Sequence, residues 1–280
     1  MSQDVPRSFA NIAKEADDIL VEDFLASGVQ LAVNTKAPNG VIFSLKGTKK
    51  NDKDGMQGIL STKYSKGWLT VTEDWETDNT ISTRADVRGV FSAIDLDVLA
   101  TLHPSNGACG KIGATYRLPS TLNARTAFDI TSQTLSADVV VGREEGAFIG
   151  VEGVHNGSVG SCSFVAGMRY RQYVMSINAN QQMNYFSASY YHSVDEELAV
   201  AGRATLDTSK EGTMSMEVGA KYILDPSAFV KAKVNSDGII GLCYSQRLRP
   251  DVILTLSGNI DSNKLNENSH KVGLSLAIGV

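Results

Sequence analysis

No stretch of the 280-residue chain is apolar for long enough to form a membrane helix, so any crossing of a bilayer must be made by strands. The three cysteines, Cys109, Cys162 and Cys243, are odd in number and far apart, without a Cys-x-x-Cys pair, which argues against a disulfide framework and a zinc site. Lys and Arg number 26 against 31 Asp and Glu, a formal charge of −5, and no basic stripe gathers them, so nucleic acid is not an expected partner. His103, His155, His192 and His270 are scattered without metal-ligand spacing, and no Gly-x-Ser-x-Gly elbow occurs. Gly107-Ala108-Cys109-Gly110-Lys111 has Ile112 where a phosphate loop needs Ser or Thr, and no helical pattern follows it. Neither an enzyme nor a cofactor or metal site is expected. The opening MSQDVPRSFANIAKEADDIL lacks the basic and apolar blocks of a secretory leader and is too acidic for a cleavable mitochondrial presequence.

What the chain does contain is alternation. Ile81, Thr83, Ala85 and Val87 interleave with Ser82, Arg84, Asp86 and Arg88; Ile94, Leu96, Val98, Ala100 and Leu102 interleave with Asp95, Asp97, Leu99, Thr101 and His103. Near the C-terminus Val252, Leu254, Leu256, Gly258 and Ile260 take one face. Successive strand residues point to opposite sides, so each segment makes a sheet with one apolar and one polar surface. Pro38-Asn39-Gly40, Asp54-Gly55, Asn106-Gly107, Asn156-Gly157 and Asp237-Gly238 supply hairpin turns, and none of the six prolines lies in a strand centre. Only the start reads as helix: Phe9, Ile12, Ala13, Ala16, Ile19 and Leu20 fall on one face, with Lys14, Glu15, Asp17, Asp18 and Glu22 on the other.

A hairpin meander at roughly 13 to 14 residues per strand and turn gives on the order of 18 to 20 strands. So many hairpins in one open sheet would leave two long edges, and closure into a barrel removes them. A barrel that wide cannot be filled by side chains. The polar faces, with Arg84, Arg88, Lys111, Arg117, Arg125, Arg203, Lys221, Lys231, Lys233 and Arg247, are therefore expected to line water, and the apolar faces to meet lipid. Asp74, Asp86, Asp95, Asp97, Asp129 and Asp138 share the inward phase and would balance those cations. A soluble β-sandwich or lipid-binding barrel shows the same period and stays open as an alternative.

At residues 222–244 the run YILDPSAFVKAKVNSDGIIGLCY resembles the signature of the eukaryotic mitochondrial porins, the voltage-dependent anion channels. The match rests on Tyr222, Asp225, Pro226, Ala228, Ala232, Lys233, Val234, Asn235, Ser236, Gly241, Leu242 and Tyr244. FANIAKEADDIL, WLTVTEDWETDNTIST, FSASYYHSV and SHKVGLSLAIGV extend the likeness over nearly the whole chain. The resemblance implies an all-β transmembrane barrel of about 19 strands, a count that belongs to the family and not to the spacing here. It further implies a parallel pairing of the first strand (about residues 29–36) with the last (about 271–279), an N-terminal segment (residues 1–25) whose amphipathic helix lies inside the pore, and a barrel made by residues 26–280. Lys271, Gly273 and the hydrophobic residues after them resemble a mitochondrial outer-membrane sorting signal.

The function implied is a voltage-gated, weakly anion-preferring channel of the mitochondrial outer membrane that passes ions and small metabolites such as ATP and ADP. Its partners would be membrane lipids, the anionic metabolites and nucleotides in transit, further copies of the chain, and cytosolic proteins docking at the rim. The pore of the outer-membrane protein-import translocase, which shares the barrel, is the alternative within the same fold. Candidate pore or nucleotide-contacting residues are Lys14, which matches the family's basic residue on the helix, and Arg84, Arg88, Lys111, Arg125 and Lys233 on the wall. Two departures count against tight nucleotide binding: Glu22 stands where relatives often carry a lysine, and Gly89-Val90-Phe91 where they have Gly-Leu-Lys. Lys14, Asp17 and Asp18 are candidate voltage sensors, since one charge crossing 100 mV is worth about 2.3 kcal/mol; the alternative is that they only solvate the helix. Glu73 shares its phase with Leu69, Val71 and Trp75, so alternation aims its carboxylate at lipid. The resemblance makes it a protonatable regulatory site, and a bulge or an interfacial position is the alternative.

Overall fold

The protein is described from a computed structural model at residues 6–25, 27–49, 55–91, 93–105, 107–119, 121–143, 145–180, 183–209, 212–265 and 270–279. Asp54 and Asn106 of the turn dipeptides lie outside these residues. Nineteen strands follow a short helical segment. They are β1 (Gly28–Lys36), β2 (Ile42–Lys49), β3 (Met56–Lys66), β4 (Leu69–Glu76), β5 (Ile81–Phe91), β6 (Ile94–His103), β7 (Gly107–Leu118), β8 (Leu122–Asp129), β9 (Thr134–Gly142) and β10 (Gly146–Asn156). After them come β11 (Val159–Tyr170), β12 (Tyr173–Asn180), β13 (Tyr185–Ser193), β14 (Leu198–Asp207), β15 (Thr213–Asp225), β16 (Ala228–Asn235), β17 (Ile239–Arg249), β18 (Val252–Asp261) and β19 (Lys271–Ile278).

Each strand pairs antiparallel with its sequence neighbour, and the sheet closes where β1 runs parallel to β19, Gly28 opposite Gly273 and Val33 opposite Ile278. An odd number of up-and-down strands can close in no other way. Pro38, Pro104, Pro119, Pro226 and Pro250 all lie between strands, as a residue without an N–H must in a continuous ladder. Part of the signature run is turn chemistry. Asp225 Oδ1 accepts the backbone N–H and the hydroxyl of Ser227, each at 2.7 Å, to shape the β15–β16 turn, while Asn235 Oδ1 accepts the Ile239 N–H at 2.8 Å after β16. The ladder is irregular between β5 and β6 around Gly89, whose φ of +68° suits glycine and whose N–H donates to Asp95 Oδ1 at 2.9 Å. The side chains of Val90 and Phe91 lie outside the description.

Outward residues are the apolar ones: Leu31, Leu45, Leu96, Val98, Ile149, Ile177, Val218, Leu242 and Leu256 are all exposed. A soluble barrel would have them inside. The buried apolar side chains gather elsewhere, at the junction between the N-terminal segment and the wall. That segment departs from the single helix expected over residues 9–20. It is a 3-10 turn, Phe9–Asn11, followed by α1 (Lys14–Leu20). α1 starts afresh at Lys14 although its N-cap, Ala13, carries no side-chain oxygen to hold the first free N–H groups. The apolar pattern survives the break. Ile12 packs with Val140, Phe148 and Val165 on β9–β11, and Ala16, Ile19 and Leu20 pack with Ala201 on β14.

Candidate functional site

The N-terminal segment lies along one arc of the inner wall, from β9 and β10 at its start to β13, β14 and β15 under α1. Polar contacts fasten it along its length. Asn123 Nδ2 donates to the Pro6 carbonyl at 2.9 Å, Arg169 pairs with Glu15, and Arg203 pairs with Asp17. At the end of α1, Lys231, whose side chain is 3% exposed, donates at 2.6 Å to both the Asp18 carbonyl and Asp23 Oδ2. A buried ammonium must be paired to be tolerated, and these acceptors are what holds it there. Lys233 donates to the Leu20 carbonyl at 2.6 Å and to Glu217 Oε1 at 2.8 Å, with the Phe24 ring 4.7 Å from its ammonium. Its stem crosses Gly241, directly opposite on β17, where a Cβ would sit 2.8 Å from Lys233 Cγ. The signature's lysine and glycine thus work as a pair.

Across the lumen, β5 to β8 have no helix over them. Arg84, Arg88, Arg117 and Arg125 surround a hollow of about 220 Å³ with Asp86, Asp95 and Asp97. Arg117 binds Asp95 at 2.6 Å and Arg125 binds Asp97 at 3.4 Å, while Arg84 stands 3.8 Å from Asp86. Asp86 and Asp97 are directly opposite one another on β5 and β6. Facing carboxylates repel, so the ring of guanidinium groups is what makes that register acceptable.

Of the residues singled out in the sequence, Arg84, Arg88 and Arg125 are thus brought together on the bare arc, and Lys111 belongs to the same inward face of β7. Lys111 makes no ion pair with a carboxylate among the described residues. Lys233 stands apart, committed to the helix end. Lys14 is 53% exposed and reaches Asp18 at 3.6 Å and Glu22 at 4.0 Å. Asp17, half-exposed, pairs with Arg203 on the wall. Glu73 points outward in unbroken register, opposite Thr62 on β3 and Thr83 on β5, in the middle of β4. No register shift occurs along β4. Sequence reasoning missed Asn123, Arg169 and Glu15 as tethers, since a contact spanning 154 residues leaves no local pattern.

A closed barrel that is apolar outside and charged within, with a helical segment seated along its inner wall, is a membrane channel. Comparison with known proteins narrows the class. The eukaryotic porin family matches residues 5–273, and the chain belongs to that family. The Neurospora crassa mitochondrial outer membrane protein porin is 32% identical over 96% of this chain and 97% of its own. The protein of the same name from Candida albicans is 31% identical, covering 97% and 98%. The human non-selective voltage-gated ion channel VDAC2 is 34% identical, covering 98% and 95%.

Proposed function

We infer that this chain is a voltage-gated channel of the mitochondrial outer membrane, through which ions and small metabolites, ATP and ADP among them, pass by diffusion. The observation that carries this reading is the placement of opposed charges on the uncovered inner wall of β5–β8, while apolar residues such as Leu31, Ile149, Ile177 and Leu242 are exposed on the outer face. Charged lining lowers the barrier for hydrated ions without holding them. Anion preference is weak in this reading because carboxylates answer most of the cations: around the hollow on β5–β8 the guanidinium groups exceed the carboxylates by only one. Residues 1–25 form the gating segment and 26–280 the barrel. Lys14 contacts passing nucleotides, with Arg84, Arg88, Lys111 and Arg125 on the facing wall, and Lys14, Asp17 and Asp18 carry gating charge. Glu73, in the same phase of β4 as Leu69, Val71 and Trp75, acts as a protonatable site toward lipid or a second copy of the chain, and cytosolic proteins meet the rim.

Planar-bilayer recording of the purified protein tests the whole. A large conductance that closes at either polarity is expected, with a reversal potential in a salt gradient slightly on the anion side. Lys14→Glu is expected to move that potential toward cations. A pure preparation that gives no voltage-closing conductance would overturn the reading.

A further inference from the structure

The inner wall lacks side chains at particular places beneath the N-terminal segment. On β15, a Cβ added to Gly219 would lie 2.9 Å from Leu20 Cδ2, 3.1 Å from the Ala232 carbonyl oxygen and 3.2 Å from Lys233 Cβ. On β19, a Cβ at Gly273 would meet Leu25 Cβ at 2.9 Å and Ser257 Oγ at 2.8 Å, and would collide with the Leu25 carbonyl oxygen. That same carbonyl accepts a hydrogen bond from Ser257 Oγ at 2.8 Å. A side-chain tip can often rotate away from a new methyl group. Here the escape is closed: Leu20 is fully buried, packed with Ala16, Ile19 and Ala201, and at Gly273 the obstacle is backbone. Two other strand glycines are placed differently: a Cβ at Gly153 meets nothing within 4 Å and one at Gly258 only the Lys271 carbonyl oxygen at 3.8 Å.

We propose that Gly219 and Gly273, with Ser257 beside the latter, are positioning residues of the channel: wall notches that fix how deep α1 lies and where the segment leaves the wall, and so set the open bore. This rests on conduction through the lumen as inferred above. Gly219 seats the end of the helix. Gly273 seats the linker at the seam itself, where it stands opposite Gly28 of β1, so the strand that closes the barrel also holds the exit of the segment. A methyl group at either place pushes the segment inward, toward the path of ions, and loosens the tethers at Lys231 and Lys233.

A native thiol reports that displacement. Cys243 is 2% exposed, on the inward face of β17, directly opposite Lys231 of β16. With Cys109 and Cys162 replaced by serine, labelling of Cys243 by a water-soluble maleimide in liposomes is expected to be slow in the otherwise native chain. It should be about tenfold faster in Gly219→Ala and Gly273→Ala, since the labelled fraction follows the population in which the segment is lifted. Both should show a smaller open conductance, and Gly153→Ala and Gly258→Ala should match the parent in both measurements. If Gly273→Ala does not insert, Gly219→Ala and Ser257→Ala decide alone, Ser257→Ala giving faster labelling with the glycine intact. Unchanged labelling and conductance in the inserted variants would overturn the proposal. A parent protein that does not conduct would instead overturn the channel reading, so the two failures are distinguishable.

Discussion

On the arc from β9 to β16, Arg169, Arg203, Lys231 and Lys233 reach off the wall into the N-terminal segment, whereas from β5 to β8 chemically similar side chains pair with one another along the wall. Arg169 and Arg203 find Glu15 and Asp17 on the segment; Arg117 and Arg125 find Asp95 and Asp97 on neighbouring strands. The covered arc also has what the bare one lacks, an apolar floor of Val140, Phe148, Val165 and Ala201 to receive Ile12, Ala16, Ile19 and Leu20. The difference teaches that ion pairs alone do not seat a helix in a water-filled lumen. Partly exposed pairs contribute about 0 to 1 kcal/mol each, while a fully buried leucine contributes several times that.

The sharpest way to break this comparison is Leu20→Ala. Removing a side chain with no exposed surface should weaken docking of α1 by about 2 to 5 kcal/mol, read as faster hydrogen exchange of the amides of residues 14–20. If exchange is unaltered, packing is not what holds the covered arc. A smaller effect separates the arcs by function. Asp17→Asn removes a charge on the segment and should reduce the steepness of voltage-dependent closure, with less than about 1 kcal/mol of docking lost. Asp86→Asn, on the bare arc, should move the reversal potential toward anions and leave the steepness as it was. Equal changes in steepness from both would erase the functional distinction. The smallest effect concerns the β4–β5 turn that borders the bare arc. The Thr80 N–H, 2.8 Å from Asp78 Oδ1, holds that carboxyl below its ordinary range. A depressed pKa means that the turn's stabilisation is present at neutral pH and is lost as pH falls through the acid range. Carboxyl NMR titration should find Asp78 titrating below the ordinary aspartate range, and Thr80→Pro, which lacks the N–H, should remove the offset.

Much of this architecture was legible in the chain because a strand in a wide barrel has one requirement per residue, inward polar or outward apolar, and that requirement repeats every two positions. Ile81–Arg88 and Ile94–His103 took the faces that alternation assigned to them, and Glu73 followed its phase even though it is charged. Closure was arguable from unpaired edges, but the odd strand count and the parallel seam came from the resemblance, since spacing alone allowed an even number. The break at Ala13 was hidden because the apolar spacing runs straight through it. Lys233 read as a pore cation because its inward phase was correct and the helix end waiting there was not visible. Gly273 read as one position of a sorting signal, with nothing local to indicate that Leu25 would lie across it.

The parallel seam also orders how the molecule can be built. Every other pairing joins neighbours in the chain and can form hairpin by hairpin, but β1 and β19 come from opposite ends of the sequence and can meet only when all the strands between them are in place. The slowest contact to find is therefore also the one that makes the ring, and until it forms β1 offers a free row of N–H and C=O groups to whatever escort keeps an unfinished sheet from joining a stranger.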